Sequence, residues 1–598
     1  PSGKRLVTSI ITHSPSLTCE QACRIAHDEY RLVVTAEALP SERDQNFRLR
    51  SEDGRSFVLK IANGEEDRSF LDAQNQVMVR LHERSVAYCP QLVQTQSGAD
   101  FFDVDANGSI YAGRLITWIP GEVLANCQWQ GSGLLHHLGA CVAEVDSALK
   151  GFDHAAMHRG DFPWDLHNAP AVIDLHLDQV EDSRMRLQID AIRANLAEYA
   201  EPRWPRLEQS VIHNDANDHN IIVQCPAINR QQVAGLIDLG DMVHSITVCG
   251  LAIAVAYAML DKTDPLLAAT YIVEGYHGVR PLSDDELAVV FPMACGRLAV
   301  SACMAAVQQR QRPDDPYLSI SQQPIQRILP RLLEIHPRFA ETTFRHACGL
   351  TPNPVALAVE HWLDANQDLI APVLPINLKA PPPAILDLSP YNPAAPVGPI
   401  AENAWAELST GTMALAGSEV AVGRYDEARL IYTDEAFAGS CPTAERRTIH
   451  LGMDLCVAEK TPVHAPLAGV VHALADRASQ QDYGPVVLLR HEVGDLVFYT
   501  LYGHLSRESL QALKPGQSIE KGQVFAAVGA RSENGDWLPH LHLQLITDLL
   551  DLDDAFPGVC RASERAIWTS ICLDPNLLVG IPASAFPPVA AGVDATLA

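Results

Sequence analysis

Basic residues are scarce in this sequence and never form a run longer than two: 44 Lys and Arg stand against 73 Asp and Glu, a formal net charge of −29. That balance argues against a nucleic-acid partner held through phosphate contacts, and it suits a cationic small molecule instead. Fourteen cysteines are scattered without a CxxC pair or a close framework, so reduced thiols and a cytoplasmic setting are expected. The opening stretch PSGKRLVTSIITHSP lacks the sustained apolar core of a signal peptide, and it also lacks a starting Met, which leaves trimming or a truncated start open. No long apolar run offsets this. The longest, residues 248–260, is far below the roughly twenty residues that cross a bilayer, so it reads as a buried helix and no membrane partner is expected.

What is present is length. At 598 residues, with 47% hydrophobic and 20% charged side chains, the chain exceeds one core and has the composition of a globular protein of two or more domains. Its most informative stretch is residues 211–223, VIHNDANDHNIIV, followed at 236–242 by LIDLGDM. Asp215, Asn220 and Asp238 thereby fall within one hairpin-sized segment, since the flanking apolar runs 221–223 and 233–237 read as short strands. Phosphoryl transfer needs cations and positioning more than covalent chemistry from the protein. Asn220 and Asp238 supply the oxygen ligands that Mg²⁺ prefers, and Asp215, two residues after His213, suits the carboxylate that orients an acceptor hydroxyl and takes its proton. The plainer alternative is a hairpin whose Asp and Asn residues serve turn chemistry.

HNDANDHN and IDLGD resemble the catalytic loop and metal-binding segment of the aminoglycoside phosphotransferase and choline kinase superfamily. SERDQNF, VLKIAN and LDAQNQ place the resemblance nearest the hydroxylysine kinase group, over roughly the first three-fifths of the chain. The resemblance implies a bilobal, protein-kinase-like fold using Mg²⁺ with ATP or GTP. A capping pattern at Thr18 and Gln21 heads a helix, strands follow at 32–39, 46–50 and 56–61, and helical sequence spans 69–82. On that small-lobe layout Lys60 is the residue that grips nucleotide phosphates, Ser41 and the turn around it stand where protein kinases carry glycines, and Trp118 lies in the LITWI hinge that clasps a purine. The Glu expected to pair with Lys60 is missing; Gln74 occupies its place.

In the large lobe, FDHAAMHRGDFPWDL resembles the segment that lines the acceptor pocket. Asp165 is there a candidate for a substrate ammonium, or an exposed loop acid. Arg297, on the otherwise apolar helix expected over 284–310, either binds a substrate carboxylate or reaches a structural acid.

Prolines concentrate between 372 and 399 and mark a semi-rigid linker. The expected division is a kinase domain over 1–378 (small lobe to about 118, large lobe from 119), a linker over 379–410, a small all-β domain over 411–560 and, over 561–598, a tail or the start of a linker to a missing domain. The fold class is therefore multidomain α+β. On the β-like frame sit HLGMD (His450, Asp454), YGHL (His504) and PHLHLQL (His540, His542). Histidines at i and i+2 of a strand share a face, and a His with an Asp four residues on can close a tetrahedral site. His450, Asp454 and His542 are the candidate Zn²⁺ ligands, with His504 and His540 flanking the open position as catalytic groups.

These five residues, with TPVHAPLAGVV and KGQVFAAVG, resemble the lysostaphin-type zinc endopeptidases. Three uses of such a domain stay open: a retained metal module, a binding domain for a small amine, or a hydrolase of an internal amide. For the whole chain, two further alternatives are a zinc-dependent amide hydrolase with the kinase fold as accessory module, and a non-catalytic scaffold. Longer proteins that resemble this one continue into a pyridoxal-phosphate domain of the class III aminotransferase type, which implies a lyase or aminotransferase-like domain or protein acting downstream.

Overall fold

The computed structural model describes residues 15–41, 44–106, 108–227, 230–311, 322–398, 402–439 and 444–586. Its chain divides into two compact units, Pro1–Leu350 and Thr351–Ala598.

The first unit opens with α1 (Cys19–Tyr30), where Thr18 Oγ1 accepts from Gln21 N at 3.2 Å and Gln21 Oε1 accepts from Thr18 N at 2.8 Å, the reciprocal cap expected from sequence. Strands β1 (Val34–Leu39), β2 (Gln45–Ser51) and β3 (Ser56–Ile61) form an antiparallel meander. After α2 (Arg68–Glu83) come β4 (Leu92–Val93), β5 (Phe102–Ala106) and β6 (Ser109–Thr117), giving the order β1-β2-β3-β6-β4 with β5 also on β6. Alternation along β3 decides the role of its residues: Phe57, Leu59 and Ile61 are buried on one face, so Val58 and Lys60 face the other way, toward a cleft.

Five strands position the cleft floor. β7 (Glu122–Val123), β9 (Ile221–Ala227) and β10 (Arg230–Leu236) form one sheet, while β8 (Gln209–Ile212) pairs with β11 (Val243–Ile246) in another. Residues 213–220 and 237–242 therefore bridge the two sheets and end opposite each other, because Ile221 pairs with Leu236 and Ile212 with Val243. Around them pack α3 (Ser132–Leu149), α4 (Cys249–Ala258), α5 (Pro265–Val279) and α6 (Asp284–Gln311). Helices α3 and α5 approach closely enough that a Cβ on Gly139 would lie 1.9 Å from the Ile272 carbonyl oxygen. Residues 284–310 of α6 are long and apolar enough to span a bilayer, but their most apolar stretch is wholly buried inside this unit, so it is a core helix. The expected run 248–260 is likewise buried, as α4 and the turn after it.

The second unit departs from the expected boundaries. It begins at Thr351, and α7 (Pro354–Ala365) packs within it. Within the supposed linker, β12 (Ala384–Leu386) pairs in parallel with β13 (Ala421–Gly423), and α8 (Glu402–Ala416) covers residues expected to begin the strands. Proline density misled here: Pro381–Pro383 precede β12 directly, and an edge strand tolerates prolines at its start. Strands β14 (Glu427–Ala428), β15 (Arg447–His450), β16 (Met453–Cys456), β17 (Pro462–His464), β18 (Gly469–Arg477), β19 (Gly484–Val493), β20 (Leu496–Gly503), β21 (Ser518–Ile519), β22 (Val524–Ala527), β23 (Leu541–Ile546), β24 (Val559–Arg561) and β25 (Cys572–Leu573) complete it. The main sheet runs β12-β13-β16-β23-β20-β19-β18-β21, with β25 also on β23. The segment expected to be a tail from 561 thus contributes a strand; residues 587–598 lie outside the described residues.

Candidate functional site

Two sites emerge, one in each unit. In the first, a cavity of about 480 Å³ is lined by Ser41, Lys60, Trp118, Asp215, Asn220 and Asp238 together. His213 sets the catalytic loop: its Nδ1 accepts from Asp215 N at 3.3 Å and its Nε2 donates to the Ile237 carbonyl at 3.1 Å. Burial holds this ring neutral, with its pKa lowered to about 4, so one nitrogen can accept while the other donates. Asn214, in the left-handed backbone region at φ 63°, donates through its amide to the Trp164 and Asp241 carbonyls and ties the two bridging loops together.

Asp215 is held from three sides. Its Oδ2 accepts from Asn220 Nδ2 at 2.7 Å and Asn217 Nδ2 at 2.9 Å, and its Oδ1 accepts from Arg297 at 2.8 Å. Burial pushes its pKa up, against the pull of Arg297. Because the amide nitrogen of Asn220 is committed to Asp215, its amide oxygen is left for a cation. Asp238, at φ 66°, accepts from Gly240 N at 3.2 Å, and Lys60 Nζ stands 3.5 Å from its Oδ1. Lys60 holds this carboxyl below the usual carboxylate range. A hard divalent cation fits this donor set: one anionic carboxylate and one amide oxygen beside a polar cavity open to water.

Several expectations are revised by tertiary partners. Arg297 is buried beneath the loop, donates to Asp215 and the Trp164 carbonyl, and lies over the Trp164 and Tyr257 rings at 4.8 and 5.7 Å. It thus reaches an acid of the protein, and that acid is the catalytic candidate; it does not face an acceptor carboxylate. Asp165 is only 4% exposed, accepts from Ser245 Oγ at 2.6 Å and caps the short helix at 166–168, so it is structural and does not meet a substrate ammonium. Gln74 faces Arg114 on β6, which also donates to Asn75 at 2.7 Å. Helix α2 therefore secures a buried arginine, and the ammonium of Lys60 is oriented by Asp238. Trp118 carries the Arg48 guanidinium 4.1 Å from its ring centroid and remains on the cavity wall, and Ser41 is exposed at the rim.

The second site rests on strands. Asp454 on β16 pairs across the sheet with His542 on β23, and Gly503 at the end of β20 pairs with His542 on its other side, which sets His504 next to the cluster. His450 ends β15 and His540 immediately precedes β23. His450 Nε2, Asp454 Oδ1 and His542 Nδ1 are separated by 3.2, 3.0 and 3.3 Å. A tetrahedral zinc ion with bonds of about 2.0–2.1 Å spans about 3.3 Å between neighbouring ligand atoms, so the three donors fit one such ion.

Outer contacts orient these donors. His450 Nδ1 donates to the Arg424 carbonyl at 2.8 Å, freeing Nε2, and burial lowers its pKa to about 4, which keeps it neutral and able to ligate. Asp454 stays anionic although buried, because the Arg429 guanidinium pairs with it; Arg429 donates to Asp454 Oδ2 at 2.7 Å and to Glu427 at 2.8 Å. The Gly in HLGMD has a steric reason, since a Cβ on Gly452 would lie 2.4 Å from the His542 ring. The His504 and His540 rings lie 4.3 Å apart between centroids, tilted by 44°, each bonded through Nδ1 to a carbonyl, Asn534 at 2.8 Å and Leu538 at 2.6 Å. Their Nε2 atoms remain for a ligand. All five groups line one cavity of about 310 Å³. Arg429 was not anticipated: nothing local in its sequence points to an acid 25 positions on.

Residues 35–282 match the phosphotransferase enzyme family, and residues 448–553 match peptidase family M23. Hydroxylysine kinase of Mus musculus is 28% identical over 330 residues, covering 51% of this chain and 87% of that protein. An uncharacterized metalloprotease of Haemophilus influenzae is 35% identical over 103 residues, covering 17% of this chain and 20% of that protein. A solved aminopropanol kinase associated with a microcompartment shares 14% identity, with a TM-score of 0.41 and coverage of 55% of this chain and 98% of that one.

Proposed function

We propose that this chain, which carries a phosphotransferase-family domain followed by an M23 peptidase domain, is a small-molecule kinase that transfers the γ-phosphoryl group of ATP or GTP to the hydroxyl of a small hydroxylated amine, of the hydroxylysine or ethanolamine kind. The observation that carries the reading is the meeting of Asp215, Asn220, Asp238 and Lys60 on one cavity, with the amide nitrogen of Asn220 turned to Asp215 and its oxygen left over.

In this reading Asp215 Oδ2 accepts the hydroxyl proton of the acceptor as its oxygen attacks the γ-phosphorus, and the nucleoside diphosphate leaves. Lys60 shifts from Asp238 to the nucleotide phosphates. Asn220 and Asp238 hold Mg²⁺, which neutralises charge on the phosphate oxygens when bound. Trp118 and Ser41 contact the nucleotide at the rim. An acidic cavity, with Asp44, Glu66, Asp218 and Asp241 also in its walls, favours a cationic acceptor. Nucleoside diphosphate release should be measured with hydroxylysine, ethanolamine, choline and an aminoglycoside. Turnover dependent on one acceptor, and lost in Asp215→Asn, is the expected result; release without any acceptor dependence would overturn the reading.

The spacing of His450, Asp454 and His542 supports a second, coexisting reading: the M23 domain holds Zn²⁺ and hydrolyses an amide. In that reading the ion, when bound, polarises a carbonyl and activates water. His504 and His540 then donate to or accept from the reacting oxygen through their unused Nε2 atoms. Metal analysis of purified protein should return one zinc per chain, and none for His450→Ala.

A further inference from the structure

Three arginines line the metal cavity of the second unit, and they are not equivalent. Arg429 is neutralised by Glu427 and Asp454, at 2.8 and 2.7 Å. Arg477 has Asp482 at 3.2 Å and Asp554 at 3.4 Å. Arg447, at the start of β15, has no carboxylate within ion-pair distance among the described residues; its guanidinium donates to the Ala436 carbonyl and lies 5.7 Å from the Phe437 ring. Its cross-strand neighbour is another cation, Arg561, whose own charge is met by Glu564 at 3.0 Å. Burial and that neighbour disfavour the charge on Arg447; Tyr483, Asp482 and Glu564 favour it only from a distance, since no carboxylate among the described residues pairs with it directly. A partly desolvated cation is costly unless something pairs with it. Arg447 lines the cavity whose lining also includes His450, Asp454, His504, His540 and His542.

We propose that Arg447 is the anion anchor of this cavity, so that the ligand of the M23 domain is an amide carrying a carboxylate, held by Arg447 while its carbonyl faces the metal site. Arginine suits this role because its fork matches a carboxylate with two parallel hydrogen bonds. The aromatic wall of Tyr432, Phe437 and Trp537 would flank the segment between the two ends. This inference rests on the zinc reading of the cluster.

The test uses the full zinc-loaded chain and binding alone. Malonic, succinic and glutaric monohydroxamates, each compared with its neutral primary-amide counterpart, are titrated by calorimetry. A carboxylate gaining charge-assisted hydrogen bonds should bind roughly ten- to a hundredfold more tightly than its amide at the chain length that fits. Arg447→Gln should erase that preference while leaving affinity for the neutral probes unchanged, and Arg447→Lys should keep part of it. Equal affinity of acid and amide at all three lengths in the unsubstituted protein would overturn the proposal, whatever the variants do. Absence of binding by every hydroxamate, acid or amide, would remove the zinc reading and the proposal with it.

Discussion

The two sites solve opposite problems with different architecture. The kinase cleft hangs its chemistry on two loops between short sheets, and its groups are engaged with one another: Asp215 with Asn217, Asn220 and Arg297, and Lys60 with Asp238. Substrates that come and go must replace some of those contacts. The metal cluster instead uses strand register, with Asp454 and His542 directly paired and their ligand atoms already at the spacing of one ion. A resident ion needs rigidity, whereas exchanging substrates need groups that are held and then released.

This contrast is sharpest for removal of the proton acceptor. Asp215→Asn keeps the shape and the Asn220 contact but loses the base, so kcat should fall about 10²- to 10⁴-fold with the melting temperature little changed. Comparable turnover in the variant would show that the loop has no catalytic role.

A smaller effect is expected at Arg297, which links the loop to α6. Arg297→Met leaves Asp215 without its buried cation, and breaking such a pair costs about 3–5 kcal/mol of stability. With burial then opposed only by the Asn217 and Asn220 hydrogen bonds, the Asp215 pKa should rise further, moving the acidic limb of the kcat/KM profile to higher pH; Arg297→Lys should restore part of it. An unmoved profile would assign Arg297 a purely structural role.

In the second unit, stripping the metal should lower the melting temperature of that unit's transition alone, because an ion at about a thousandfold its Kd stabilises the folded state by about 4 kcal/mol. Differential scanning calorimetry before and after chelation checks this, and an unchanged thermogram would break the contrast between resident and exchanging ligands.

The smallest effect concerns His491, which is fully buried, bonded to the Ala468 carbonyl at 2.9 Å and Thr500 Oγ1 at 2.8 Å, and kept neutral by burial with a pKa lowered to about 4. A folded pKa below the unfolded value means the unfolded chain binds the proton first. The stability contribution is thus complete above about pH 6.5, shrinks as pH falls toward 4, and amounts to at most about 3 kcal/mol. Chemical denaturation at pH 7 and pH 5 should show a smaller loss for His491→Gln than for the unsubstituted protein.

Much of this was readable locally. The fixed spacing of Asp215 and Asn220, the strand end at Asp238, and the five positions around the metal cavity all fall within short segments whose chemistry constrains neighbours. What escaped the sequence reading depends on residues far apart in the chain. Arg297 and Asp215 are 82 positions apart, and Asp165 meets Ser245 across 80, so neither partner leaves a mark near the other. Gln74 looked like a defect because a glutamate was expected, whereas its partner is Arg114 on another strand. The boundary was misplaced for a related reason: proline content reports local stiffness and says nothing about whether a strand such as Ala384–Leu386 will be joined by Ala421–Gly423.

The most direct test follows phosphorus itself. ³¹P NMR of the full chain with Mg²⁺, ATP or GTP, and hydroxylysine or ethanolamine should show a new phosphomonoester resonance growing as the nucleoside diphosphate appears. The signal should vanish in Asp215→Asn and persist in His450→Ala. No phosphomonoester from any hydroxylated amine, or an equal yield from Asp215→Asn, would contradict the kinase assignment.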